Sequence, residues 1–358
     1  MILDDRKRRI LQAIIDDYIN SAEPIASRTI AKKHELGLSS ATIRNEMADL
    51  EELGYLEQPH TSAGRIPSDK GYRIYVDQLM KVKNLTWEEI EDIKHAMEIR
   101  IGKMSELIKQ ASVVLSRITK YTSMSITPNI NESALKAVQV VPIEQDKALV
   151  IVVTYAGIVR NVMIKLPVRV LPDFMIRISN ILNSKLSGFT MSQINIPVIE
   201  EIEREIGIPR EILKPILQGV EECISLVDDQ EIHYEGTTNI FNYREFMDII
   251  KAKEFLNVLE ERDILYKLLN NVKSNNTINI QIGSENEIEE MRDCSLITTT
   301  YSLGETKLGS LGVIGPTRME YGRVISSMNY MKDRVNEELS RLMGEDLDWI
   351  RFRKKRED

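Results

Sequence analysis

The chain has 358 residues, 42% of them hydrophobic, and sets 47 Lys and Arg against 55 Asp and Glu for a net charge of −8. That length predicts two or three domains, and that charge excludes a generally basic nucleic-acid coat or a membrane-surface protein, so any nucleic-acid site has to be local. Two distant cysteines without CxxC spacing, a charge already at Asp4 and a longest apolar run of only Ala148 to Val153 predict a soluble cytoplasmic chain.

In chain order, Ile10, Leu11, Ile14, Ile15, Tyr18 and Ile19 recur at helical spacing and predict an amphipathic helix from Asp4 to Asn20. Ser27 is placed as the cap of a short second helix reaching His34, Gly37 breaks it, and Ser39 or Ser40 caps a third helix running to Leu53. After Gly54 come Tyr55-Leu56-Glu57-Gln58, the turn formers PHTSAG and Arg65-Ile66 before Pro67, which together predict a small hairpin. Ser68 then caps a helix through Tyr72, Tyr75, Val76 and Leu79, closing a unit that ends at a Lys83-Asn84 linker.

On the third helix Ile43, Met47 and Leu50 fall in one arc and face a core. At about 100° per residue this turns Ala41, Asn45 and Ala48 outward, with Arg44 on their flank. Such a face suits a major groove: Arg pairs with guanine O6 and N7, Asn pairs with adenine, and Ala meets a thymine methyl. In a winged helix the hairpin loop reaches the backbone or minor groove, so Arg65 is expected there, with His60, Thr61 and Ser62 as phosphate-bonding groups. Lys70, Tyr72 and Arg73 at the start of the next helix are candidate anchors. Against this, residues 1–80 hold 11 Lys or Arg and 13 Asp or Glu, a net of −2. Winged helices also serve as protein-interaction platforms, and both readings stand at this level.

Thr86 and Glu89 form a capping box that opens a long helix or helix pair to Lys120, readable as one buried face or as a coiled coil. Runs at Leu135–Ile143, Ala148–Thr154 and Ile158–Leu166 predict an antiparallel meander. Helical patterns follow at Pro172–Leu186, Ser192–Glu205 and Pro209–Val227, with two more between Tyr243 and Asn270. Strands return at Thr277–Ile282, Ser295–Ser302 and Leu308–Ile314 before a last helix from Met319 to Met343. Strands divided by a helical block predict one mixed-sheet domain interrupted by an insertion.

The four histidines share no metal-ligand spacing. Gly309, Gly312 and Gly315 match neither a P-loop nor a dinucleotide fingerprint, and no G-x-S-x-G elbow occurs. No set of acid, base and nucleophile assembles, so neither an enzyme nor a cofactor is expected.

The segments SSATIRNEMADLEELGYLEQPHTSAGRIPSDKGYRIYVDQL and CSLITTTYSLGETKLGSLGVIGPTRMEYGRV, with HYEGTTNIF and IGSEN more weakly, resemble the HrcA family of bacterial heat-inducible transcription repressors. The resemblance covers essentially the whole chain. Departures are small: Ile25-Ala26-Ser27 stands where Val-Gly-Ser is commoner, and Ser68 replaces a usual Thr. The resemblance implies an α+β, multidomain fold. Its parts would be an N-terminal winged helix-turn-helix, a GAF-like mixed α/β domain, an inserted α/β dimerisation domain and a tail; the residue patterns place these at 1–83, at 84–167 with 236–343, at 168–235 on the helical block, and at 344–358, with the insertion alternatively taking in the strands that begin near Leu135. It further implies a homodimer that represses chaperone operons by binding an inverted-repeat operator in double-stranded DNA, modulated by a GroE-type chaperonin. A small-molecule-sensing winged-helix regulator acting through the GAF-like domain remains the alternative.

Overall fold

The computed structural model describes residues 3–60, 63–97, 104–127, 135–154, 159–167, 172–189, 194, 198, 200–202, 204, 210–225, 232–270, 278–303 and 306–342. The helix expected at Ser192–Glu205 therefore lies mostly outside the described residues. Helix α1 (Asp5–Ser21) starts where the Asp4 carboxylate accepts the Lys7 amide at 2.8 Å, and it buries Ile10, Leu11, Ile14 and Ile15 completely. Helix α2 (Ser27–Lys33) has Ala26 at its cap with no side-chain bond, so Ser27 is the first helical residue and not the cap. Helix α3 (Ser40–Glu52) is capped by Ser39, whose Oγ accepts the Thr42 amide at 3.1 Å.

Strands β1 (Leu56–Glu57) and β2 (Ile66–Pro67) pair antiparallel, and a bridge between Ile25 and Arg65 ties the segment ahead of α2 to this hairpin. Helix α4 (Asp69–Ile74) follows and widens into a π-helical turn over Tyr75–Leu79. Three helices and a hairpin in this order make a winged helix-turn-helix.

The next unit opens with α5 (Trp87–Met97) and α6 (Met104–Thr119). The capping box is present: the Thr86 amide donates to Glu89 Oε2 at 2.9 Å, and the Glu89 amide donates to Thr86 Oγ1 at 3.2 Å. Strands β3 (Thr122–Ile126), β7 (Ile232–Glu235), β8 (Asn279–Ile282), β9 (Cys294–Leu303) and β10 (Thr306–Pro316) form one sheet in the order β7-β3-β10-β9-β8, antiparallel throughout. This sheet is the centre of the larger α/β unit, the one expected to be GAF-like. One face carries Leu311 and Val313 into a core with Ile108 of α6 and Met328 of the last helix. The other carries Leu296 and Ile314 against Phe255 and Leu269 from the helices at Ile249–Glu260 and Arg262–Asn270. Because α6 packs inside this core, its apolar stripe is the buried face of a domain helix.

Strands β4 (Leu135–Pro142), β5 (Lys147–Thr154) and β6 (Val159–Lys165) form the expected meander. They do not join the five-stranded sheet, so the single mixed sheet anticipated from sequence is two separate antiparallel sheets. Val150, Val152 and Ile164 share a core with Met175, Ile178 and Leu182 of α7 (Pro172–Leu186) and with Leu213 and Ile216 of α8 (Arg210–Ser225). Among the described residues, these helices lie on one face of the sheet and share a single core with it. Along β4 the amides of Val138 and Val140 donate to Asn183 Oδ1 and Ser179 Oγ of α7, at 2.6 and 2.9 Å, which closes that sheet edge.

Numbering onward, α9 is Ile249–Glu260, α10 is Arg262–Asn270 and α11 is Tyr321–Leu342. The winged helix and the GAF-like unit meet in one continuous apolar cluster that runs from Ile10 and Tyr72 to Ile297 and Tyr321.

Candidate nucleic-acid interface

Helix α3 presents the predicted face. Ile43 and Leu50 are fully buried and Met47 nearly so, while Ala41, Arg44 and Asn45 are exposed and Ala48 is half-buried on the same side. Ser39 is exposed and Ser40 half-buried at the entry to that face.

Several of the acids that weigh against a DNA site are turned onto cations of the same domain. Lys7 Nζ lies 2.7 Å from Glu46 and 2.9 Å from Asp49, and Arg6 joins Glu46 at 3.3 Å. The hydrogen bond to Glu46 first, then that to Asp49, raises the Lys7 pKa well above the ordinary lysine value, so this ammonium stays charged at any neutral pH. Glu51 is paired with Arg65, and the nearly buried Asp17 with Lys33. Among the described residues no ion pair ties down the exposed Arg28, Lys32 or Arg44. Arg28 and Lys32 sit on α2, the helix that crosses the DNA backbone in a helix-turn-helix. Sequence reasoning passed over them, although their i, i+4 spacing in SRTIAKK was a usable signal.

The remaining candidates do not converge on the α3 face. Arg65 is held at the base of the wing: its amide donates to the Ile25 carbonyl, its carbonyl accepts the Ile25 amide, and its guanidinium contacts Glu51 at 2.7 and 2.8 Å. Lys70 donates to the Leu53 carbonyl at 2.8 Å and covers the Tyr55 ring at 4.5 Å, closing the C-terminal end of α3. Arg73 points away from α3 altogether, to Glu285 and the Ile280 carbonyl of the GAF-like unit. His60 is exposed on the wing; Thr61 and Ser62 lie outside the described residues.

Two sequence profiles match the chain. One, described as a winged helix-turn-helix transcription repressor, HrcA DNA-binding, covers residues 2–80, and the other, described as the HrcA protein C terminal domain, covers residues 105–325. The heat-inducible transcription repressor HrcA of Acetivibrio thermocellus is 57% identical over 348 residues, 97% of this chain and 99% of that protein. The repressor of the same name from Ruminiclostridium cellulolyticum is 58% identical over 345 residues, 96% of this chain and 99% of that protein. A crystal structure of a hypothetical protein at 2.2 Å resolution is 25% identical, covers 95% of this chain and 100% of its own, and superposes with a TM-score of 0.65.

Proposed function

The chain belongs to the HrcA family of heat-inducible transcription repressors, and from that membership we propose that it binds an inverted-repeat operator as a homodimer, one α3 to each half-site, and so silences chaperone operons. It is a repressor of heat-inducible genes with a DNA-binding winged helix, a regulatory role without a catalytic step. The outward face of α3 carries the reading: Arg44 and Asn45 stand free there while Glu46, Asp49 and Glu51 further along the helix are paired with Lys7, Arg6 and Arg65. Arg28 and Lys32 supply phosphate contacts beside it.

The dimer reading has support in the unit built on β4, β5 and β6, which we take as the inserted dimerisation domain, running from Leu135 to Ser225. The sheet face turned away from α7 and α8 carries Leu149, Ile151, Val153, Val159 and Met163, with Leu149 opposite Met163 and Val153 opposite Val159. Val159 and Met163 are more than half exposed in the single chain. A contiguous uncovered apolar face of this kind marks an association surface. The same face, with the exposed Met247, Ile249 and Ile250, gives a chaperonin an apolar surface to hold. We assign the protein to the cytoplasm, where its two free, buried cysteines stay reduced. The small-molecule-sensing alternative gains no observation of its own.

Transcription in a purified system from a promoter carrying the inverted repeat tests the proposal. Added protein should lower the transcript, scrambling one half-site should restore it, and repressor inactivated by mild heating should recover with chaperonin and not without it. Equal repression of intact and scrambled promoters would sink the operator reading, and equal recovery in both arms would sink the chaperonin link.

A further inference from the structure

Two of the stretches singled out in the sequence, IGSEN and GPTRMEYGRV, have no part in DNA reading, yet both lie against the winged helix. Ile282 to Asn286 form a tight turn after β8. Its shape is set from inside: the buried Asn286 amide donates to the carbonyls of Gly283, Met291 and Cys294 at 2.9, 3.1 and 2.9 Å. Onto this turn docks α4. Asp69 Oδ2 accepts the Ser284 amide at 2.8 Å, Arg73 donates to the Ile280 carbonyl at 2.7 Å, and its guanidinium grips the Glu285 carboxylate with Nε at 2.8 Å. Glu285 is itself steadied by the Ile282 amide at 2.9 Å. Gly283 is in the left-handed region, φ 53°, and a Cβ there would lie 2.2 to 2.3 Å from the Asp69 carboxylate.

A second arginine reaches the other way. Arg318 of GPTRMEYGRV donates to the Ile19 carbonyl in the last turn of α1 at 3.2 Å, pairs with Glu245 at 2.5 Å and lies over the Tyr243 ring. Between the two arginines Tyr72 packs on Tyr321 at 6.0 Å. The connecting segment adds no slack: the Lys83 carbonyl accepts Ser326 Oγ, and a Cβ on Gly322 would lie 2.6 Å from the Lys81 carbonyl.

We propose that Asp69 and Arg73 are positioning residues: by docking α4 on the turn at 282–286 they fix the orientation of α3 relative to the GAF-like unit, and thereby set the half-site spacing the repressor accepts. The spacing part rests on the dimer reading above. Arg73, on this account, acts through the joint and does not touch DNA. A rigid joint makes the second half-site contact effectively intramolecular at one geometry only; a loose joint spreads it over many.

The test uses the full chain and the variants Arg73→Glu, Glu285→Arg, their double exchange, and Gly283→Ala. Three quantities are measured: affinity for a single half-site with its salt dependence, affinity for inverted repeats with lengthened spacers, and an intrachain spin-label distance between E35C and K253C, both exposed positions outside the DNA-binding face. Labelled chains are diluted into unlabelled ones, and both native cysteines are buried. Parent protein should show a narrow distance and lose roughly a hundredfold in affinity when the spacer is changed. Each single variant should broaden the distance and lose that preference at unchanged half-site affinity, and the double exchange should restore both. A weaker half-site affinity with a flatter salt slope in Arg73→Glu would mean that Arg73 holds phosphate, which overturns the proposal. Spacing preference unchanged despite a broadened distance would overturn it as well. A parent protein that sediments as a monomer yet shows the same broadening and rescue would remove the dimer reading and leave the joint standing.

Discussion

Arg44 and Asn45 stand outward on α3 because their neighbours Ile43 and Met47 are sealed in the core of the winged helix. Replacing either with alanine should leave folding stability nearly unchanged, as for other exposed sites, and cost about 1–3 kcal/mol in operator binding at one half-site position. A panel of duplexes with single base changes checks this; undiminished preference in both variants would show that another face reads the bases. Arg65 poses a different question, since Glu51 already holds its guanidinium. Both side chains are partly exposed, so the pair itself is worth no more than about 1 kcal/mol, and a phosphate competes with it readily. Glu51→Gln should free Arg65 for the duplex and steepen the salt dependence of non-specific binding by about 0.9 in the log–log slope. An unchanged slope would make Arg65 a structural clasp of the wing. The 3.6-residue period was enough to reveal which side of α3 faces out. The partners of Arg65, Lys70 and Arg73 were not legible, because they lie 14, 17 and 212 positions away and depend on tertiary closure.

Where β1 meets α4, Ser68 and Gly71 do the joining. Ser68 Oγ accepts the Gly71 amide at 3.1 Å and donates to the Gly54 carbonyl at 2.7 Å, linking the end of α3 to the start of α4. A Cβ on Gly71 would sit 2.2 Å from the Tyr55 carbonyl oxygen, a rigid backbone atom. Gly71→Ala should therefore part the hairpin from α4 and destabilise the protein by about 1–3 kcal/mol, whereas Ser68→Thr keeps the cap and should be nearly neutral. Denaturant unfolding measures both, and a Gly71→Ala variant as stable as its parent would contradict the packing described. Elements with a cap and a long period were readable in advance, such as α1, α3 and the Thr86–Glu89 box. Strand β3, TSMSI, was not: all five of its residues are buried, three of them bearing hydroxyls, so no apolar alternation announces it. Nor was the separation of the two sheets, since an alternating strand reads the same whichever sheet it enters. The buried hydroxyls find partners in folded neighbours, as when Ser112 Oγ donates to Ser125 Oγ at 2.6 Å.

For the whole molecule, an acidic chain holds DNA only if its charge is arranged locally and its contacts are doubled. The first condition is met by internal pairing of Glu46, Asp49 and Glu51. The second is what the proposed dimer, held through the face of β5 and β6 that exposes Val159 and Met163, would supply. Met163→Asp places a charge on that face and should yield monomers whose affinity for the inverted repeat drops by roughly 10²-fold or more, with single half-site binding preserved; sedimentation and titration of the same sample decide it. A Met163→Asp protein that remains a dimer with full affinity would move the interface elsewhere. Titration of the whole 358-residue chain, with the mass of the complex followed by sedimentation, against an intact inverted repeat, a repeat with one half-site scrambled and a fully scrambled duplex at one fixed salt concentration tests operator recognition by a pair of chains. Two chains should load on the intact repeat and bind it at least roughly 10³-fold tighter than the scrambled duplex, with the half-scrambled repeat in between. A single chain saturating the intact repeat with undiminished affinity, or equal affinity for all three duplexes, would contradict it.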